Sequence, residues 1–233
     1  MDGKKSPTET AKQFVNKNYP KAQGAILAGS VVRGEATSTS DLDIVIFDVA
    51  VPSAYRESVF DSGWPIEVFV HNLTSYKRFF EADFKRARPS LQRMVVEGTI
   101  LRDCGIVTSI KQEAKDILDM GPEVWTEEVI RQKRYFITDA LDDFIGSTDR
   151  SEQIFIANSL AELLHEFILR VNGHWIGASK WIVRALKQYD ANFAEEFVNA
   201  FDSFYRTDEK EKVIELVQGV LAPYGGRLFE GGF

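Results

Sequence analysis

Gly24-Ala25-Ile26-Leu27-Ala28-Gly29-Ser30, the ten residues Val31 to Ser40, and then Asp41-Leu42-Asp43-Ile44-Val45-Ile46-Phe47 decide how the first part of this chain folds. Gly24 to Ala28 reads as a short buried strand stopped by a Gly-Ser pair. Leu42 to about residue 48 reads as a second strand. Side chains alternate along a strand, so Asp41 and Asp43 share one face while Leu42, Ile44 and Ile46 share the other. Two adjacent carboxylates repel, and in a strand-like segment they cost stability unless water, a cation or a basic partner compensates. A hard divalent metal, which takes several carboxylate oxygens, is the least strained explanation.

The residues between the strands sharpen that expectation. Gly29 permits close approach of backbone to a ligand, and Ser30 suits the start of a helix, whose free amides with the serine hydroxyl form an anion site. Arg33, in Val31-Val32-Arg33-Gly34-Glu35, is a candidate for a charge-assisted contact to the same anion. Phosphate cradle and metal carboxylates in one strand-turn-strand unit point to a nucleoside triphosphate with magnesium. A third acid lies in Ile66-Glu67-Val68-Phe69-Val70-His71, where Glu67, Phe69 and His71 alternate with Ile66, Val68 and Val70. If this strand pairs with the Asp41–Phe47 strand in register, Glu67 joins Asp41 and Asp43; a one-residue slip removes it.

Gly29-Ser30, the gap of about ten residues, Asp41-Leu42-Asp43 and Glu67 resemble the signature of the nucleotidyltransferase superfamily related to DNA polymerase beta. The phrase Arg33-Gly34-Glu35-Ala36 leading to Ser40-Asp41-Leu42-Asp43 is most similar to the antibiotic nucleotidyltransferases of the kanamycin and streptomycin type. Val96 to Asp103 looks like the strand that closes such a catalytic sheet. The specific resemblance spans about residues 24–103. It implies that Gly29 and Ser30 contact the triphosphate, that Asp41 and Asp43 hold magnesium, and that Glu67 is a further metal ligand or the general base. Ser40, Arg33 and Lys180 are candidate phosphate contacts. The implied reaction is attack of an acceptor hydroxyl on the α-phosphorus of ATP with loss of pyrophosphate. An aminoglycoside-like antibiotic is the leading acceptor. Adenylylation of a protein, as in toxin–antitoxin partners, and a non-catalytic nucleotide sensor are the alternatives.

Composition fits a folded chain: 233 residues, 44% hydrophobic and 12% aromatic. No apolar run approaches the roughly 18 residues that span a bilayer. Met1-Asp2-Gly3-Lys4-Lys5 lacks a signal-peptide core, and Cys104, the only cysteine, admits no intrachain disulfide. A reducing cytoplasm is the expected compartment, with the chain a monomer or homodimer. Residues 1–109 carry 14 Lys and Arg against 13 Asp and Glu; residues 110–233 carry 14 against 22. Without a basic face, nucleic acid is not an expected partner. The acidic second part would complement a cationic small molecule.

The expected fold is a mixed-sheet nucleotidyltransferase domain (1–108) followed by a helical bundle (109–233), an α+β/α arrangement, with the active site in a cleft between them. Ser6-Pro7-Thr8-Glu9 reads as a capping box opening a helix to about Asn18. Strands are expected at 24–28, 42–48, 66–71 and 99–102, with helices on one side of the sheet, including one from Thr74 or Ser75. The C-terminal helices are expected near 111–120, 123–145, 152–171, 177–189, 192–204 and 208–221, and the tail from Tyr224 to Phe233 is expected to be loosely held.

Several side chains have ordinary readings beside the functional ones. The ordinary reading of Glu67 is a solvent-facing strand residue, of Arg33 a salt-bridge partner and of Lys180 a solvated lysine near a helix start. Glu162 and Glu166, four apart on one helix face, are candidates for an acceptor-binding or proton-accepting pair; Asp139, Asp142 and Asp143 are weaker ones. His71, His165 and His174 are too scattered for a metal site. Trp175 and Trp181 suit either stacking on a ligand or core packing.

Overall fold

The computed structural model describes residues 6–230. The sheet contains five strands among these residues, β1 (Gly24–Ala28), β2 (Leu42–Phe47), β3 (Tyr55–Asp61), β4 (Trp64–His71) and β5 (Thr99–Asp103), in the order β3-β4-β2-β1-β5. β2 and β4 run parallel; the other pairs are antiparallel. The sheet is therefore mixed, as expected.

Helices cover both faces of the sheet, not one. Helix α1 (Pro7–Asn18) places Ala11, Phe14 and Val15 against Leu42, Ile44, Ile46, Ile66, Val68 and Val70. On the opposite face, Val45 and Phe47 pack with Tyr76 and Phe80 of α2 (Ser75–Lys85), Leu91 and Val95 of α3 (Ser90–Glu97), and Val107, Ile110 and Ala114 of α4 (Val107–Met120). The physical reason is in β2 itself. Leu42, Ile44, Val45, Ile46 and Phe47 are all fully buried, and a strand apolar on both faces needs cover on both.

Strand β3 was not foreseen from the sequence. It is an edge strand with mostly exposed side chains, so no buried face imposes a pattern on it. A two-residue turn at Ser62 (φ +51°) and Gly63 (φ +79°) folds it back onto β4. Both central residues are left-handed, as a tight hairpin turn with the sheet's twist requires.

Helix starts follow local hydrogen bonding more than the simple cap signals. Ser6 occupies the N-cap of α1 but makes no side-chain cap bond. Neither Thr74 nor Ser75 caps α2 with its side chain in the expected way; Asn72 Oδ1 accepts from the amides of Thr74 and Ser75 at 2.9 and 2.7 Å. Helix α4 begins four residues earlier than expected because Asp103 Oδ1, at the end of β5, accepts from the amides of Gly105, Ile106 and Val107. These amides hold the Asp103 carboxyl below its ordinary value.

Backbone proximity separates two compact units, Met1–Met120 and Gly121–Phe233. Helix α4 thus falls in the unit that contains the sheet, and the division comes at Gly121-Pro122. The second unit is helical: α5 (Glu127–Gly146), α6 (Arg150–Val171), α7 (Trp181–Tyr189), α8 (Ala191–Thr207) and α9 (Glu211–Leu221). Thr126, Asp149 and Asp190 supply side-chain N-caps. Its core gathers Ile137, Leu141, Phe144, Leu160, Leu164, Phe167 and Phe204, with Phe144 edge-on to Phe204 at 4.8 Å between ring centres.

The tail is held through Leu228, contrary to expectation. Arg134 donates to the Gly226 carbonyl, Leu228 N donates to Thr138 Oγ1 at 2.9 Å, and Arg227 pairs with Asp142. The end of that tail, residues 231–233, and the N-terminal residues 1–5 lie outside the described residues. No helix among the described residues is long and apolar enough to cross a membrane.

Candidate metal and phosphate site

The parallel pairing of β2 with β4 sets Asp43 directly beside Glu67. This is the register that the strand alternation needed, and it brings the third acid to the aspartate pair. One carboxylate oxygen from each of Asp41, Asp43 and Glu67 lies within 4.8 Å of the others, and all three side chains are half-buried. Among the described residues this is the one cluster of three potential metal-ligating side chains. Its donors are all carboxylate oxygens, the set preferred by magnesium or manganese and not by zinc. The residues therefore fit a hard divalent cation.

Gly29 makes room for this cluster. It follows β1 with φ +82°, and a Cβ built there would stand 2.0 Å from Asp43 Oδ2. Only a glycine lets the Asp43 carboxylate rest against the backbone at the end of β1.

Beyond Gly29 the structure departs from expectation. Residues 30–34 form turns and not a helix, so no helix N-terminus is available to serve as an anion site. The turn closes with the Glu35 amide donating to the Ser30 carbonyl at 2.9 Å. Ser30 Oγ donates to Ser40 Oγ at 3.0 Å, and Ser40 Oγ also accepts from the Thr37 amide at 2.8 Å. The two serines that were candidate phosphate contacts thus meet across the loop. The Arg33 guanidinium pairs with Glu35 at 3.0 Å and with Glu97 at 3.3 Å.

Burial pushes the Asp43 carboxyl up to about 6; Asp41 and Glu67 add to the rise, while Arg33 and Arg56 oppose it. The surroundings of Asp43 thus oppose its ionisation, and a bound cation would relieve that opposition.

Arg56 is the residue of this site that sequence reasoning missed. It projects from β3, where it pairs opposite Phe69, and its Nη2 donates to Glu67 Oε2 at 2.5 Å. Its guanidinium lies 5.1 Å from the centre of the Phe69 ring. The only sequence signals were the Ser62-Gly63 turn and the short run Tyr55 to Val59 before it.

The remaining candidates occupy the second unit, apart from His71. Lys180 is exposed at the N-cap of α7. Glu166 pairs with Lys133 at 2.7 Å, and Glu162 is exposed. Asp142, Asp143, Glu152 and Phe155 line a surface groove. His165 is buried with Nε2 3.2 Å from the Gly177 carbonyl, His71 is buried edge-on to Phe79, and His174 lies against Tyr189. Trp181 packs under Arg184. Arg170 is buried over Trp125 and donates to the Glu123 carbonyl, a packing role.

A comparison with curated proteins finds no match. Among solved structures, the chain is similar to a nucleotidyltransferase-like protein from Exiguobacterium sibiricum 255-15, with 12% identity, a TM-score of 0.46, and coverage of 94% of this chain and 75% of that one. Residues 9–101, a stretch that runs from α1 into β5 and contains Gly29, Asp41, Asp43 and Glu67, match the Nucleotidyltransferase domain family.

Proposed function

We propose that this chain is a magnesium-dependent nucleotidyltransferase that moves a nucleoside monophosphate, AMP from ATP in the first instance, to a hydroxyl of a small molecule. The single observation carrying this reading is the convergence of three carboxylate oxygens within 4.8 Å, beside a glycine whose hydrogen is all the space allows. In the proposed arrangement Asp41, Asp43 and Glu67 hold the cation, with Glu67 as third ligand or as acceptor of the hydroxyl's proton. Magnesium bound there would polarise the α-phosphoryl group and neutralise charge on the departing pyrophosphate. Gly29 and Ser30 offer an amide and a hydroxyl to the triphosphate, and Ser40 fixes the Ser30 hydroxyl. Arg33 would reach phosphate by exchanging its contacts to Glu35 and Glu97, and Lys180 is a further proposed phosphate contact.

The acceptor oxygen bonds to the α-phosphorus, the bond from that phosphorus to the oxygen bridging to the β-phosphate breaks, and the acceptor proton passes to a carboxylate. An aminoglycoside-like acceptor is proposed from charge alone: residues 110–233 hold eight more acids than bases. The chain is proposed to act in the cytoplasm as a monomer or homodimer.

The test is pyrophosphate release from ATP and magnesium with a panel of hydroxyl-bearing acceptors, cationic aminoglycosides included. Turnover with at least one acceptor, lost in Asp41→Ala and in Asp43→Ala, is expected. Silence across the panel while ATP still binds would overturn the small-molecule acceptor and favour a protein hydroxyl or a sensor.

A further inference from the structure

Arg56 places the charge of a solvent-exposed guanidinium against the proposed cation site. Its partner Glu67 is a proposed cation ligand, and the guanidinium 2.5 Å from Glu67 Oε2 sets a positive charge against the oxygens that a metal ion would share. Asp41 and Asp43 also act on Arg56 electrostatically, so its charge faces the whole acid cluster. Arg56 is anchored to β3 opposite Phe69, over whose ring it lies, while more than half of its side chain is exposed to solvent. Losing Glu67 therefore need not move the strand. The guanidinium can remain on the Phe69 ring and present its planar fork to another anion nearby.

We infer that Arg56 has two partners in turn: it holds Glu67 while the site lacks a cation, and binds the nucleotide's phosphates once Glu67 is given over to a divalent cation. The inference rests on the nucleotidyltransferase reading above. It makes Arg56 a competitor of the metal and a ligand of the nucleotide, two effects of opposite sign. A residue that merely positions Glu67 would aid the metal instead of opposing it.

The full chain carrying Arg56→Ala, with Arg56→Gln as a second variant, separates these roles. The first readout is binding of manganese alone, followed by the spin resonance signal of the free ion. The second is binding of α,β-methylene ATP with saturating magnesium, followed by calorimetry. The inference predicts manganese affinity raised roughly three- to tenfold, because a rival charge is gone, and analogue affinity lowered about tenfold. Manganese binding that is unchanged or weaker, or analogue binding that is unchanged, overturns it. Asp43→Asn tests the underlying site separately. If manganese binds that variant as it binds the wild type, the acid cluster is not the cation site, and that failure is distinct from a failure of the Arg56 inference. A single cooperative melting transition in each variant confirms that the variants are folded.

Discussion

Replacing Gly29 by alanine tests the site through a single added methyl group. The Cβ would lie 2.0 Å from Asp43 Oδ2, where ordinary contact begins near 3.4 Å, so the carboxylate must retreat by about 1.4 Å. The substitution also forces alanine into φ +82°, a strain of roughly 1–2 kcal/mol. Gly34 provides the control. It has φ +73° with nothing within 4 Å of its built Cβ, so Gly34→Ala carries the same backbone strain without touching Asp43. Both variants should lose a few degrees of melting temperature. Only Gly29→Ala should lose manganese affinity, by tenfold or more, and turnover by on the order of a hundredfold, as expected when a reacting group is misplaced by about 1 Å. Metal titration and pyrophosphate release read the two effects. Equal manganese affinity in Gly29→Ala and Gly34→Ala would refute the claim that Gly29 exists to seat the Asp43 carboxylate.

Asp43→Asn should raise the melting temperature of metal-free protein at pH 7–8. Because the folded carboxyl is held up to about 6 against an ordinary 3.8, ionisation penalises the folded state; the wild type regains stability as pH falls through 6 toward 4, and its difference from the variant shrinks. Melting curves in chelator across that range check the sign, and a gap that widens toward pH 4 would contradict it. Asp83→Ala should cost about 2–3 kcal/mol in denaturant unfolding, since Asp83 Oδ2 accepts from the buried Leu91 amide at 2.8 Å and its other oxygen pairs with Arg86. Asp83→Asn, which keeps an acceptor, should cost less, and a loss under about 0.5 kcal/mol for the alanine variant would rule out the capping role.

What the sequence disclosed follows from burial. In β2 and β4, alternation and continuous apolar character located the strands, and the three acids stood out because they interrupt that pattern. The register that joins Asp43 to Glu67 was a condition the sequence could pose but not answer, since it depends on which strand lies beside which. Cover on both faces was in fact signalled by Val45 and Phe47 alternating with Ile44 and Ile46, a run apolar on both sides. Strand β3 left almost no trace because an edge strand with exposed side chains obeys no burial pattern, and Arg56 was hidden with it. Ser30 looked like a helix cap, but the chain turns tightly through Glu35 and Ser40 instead. Asp103 acts as a cap from the end of a strand, where a sequence reading looks for pairing and not for capping.

A crystal structure with magnesium and a non-hydrolysable ATP analogue tests the central claim most directly. The account predicts a metal ion bound by oxygens of Asp41, Asp43 and Glu67, with the triphosphate beside Gly29 and Ser30 and the Arg56–Glu67 pair broken. Nucleotide bound elsewhere, with Glu67 still held by Arg56 and no cation among the three acids, would contradict it.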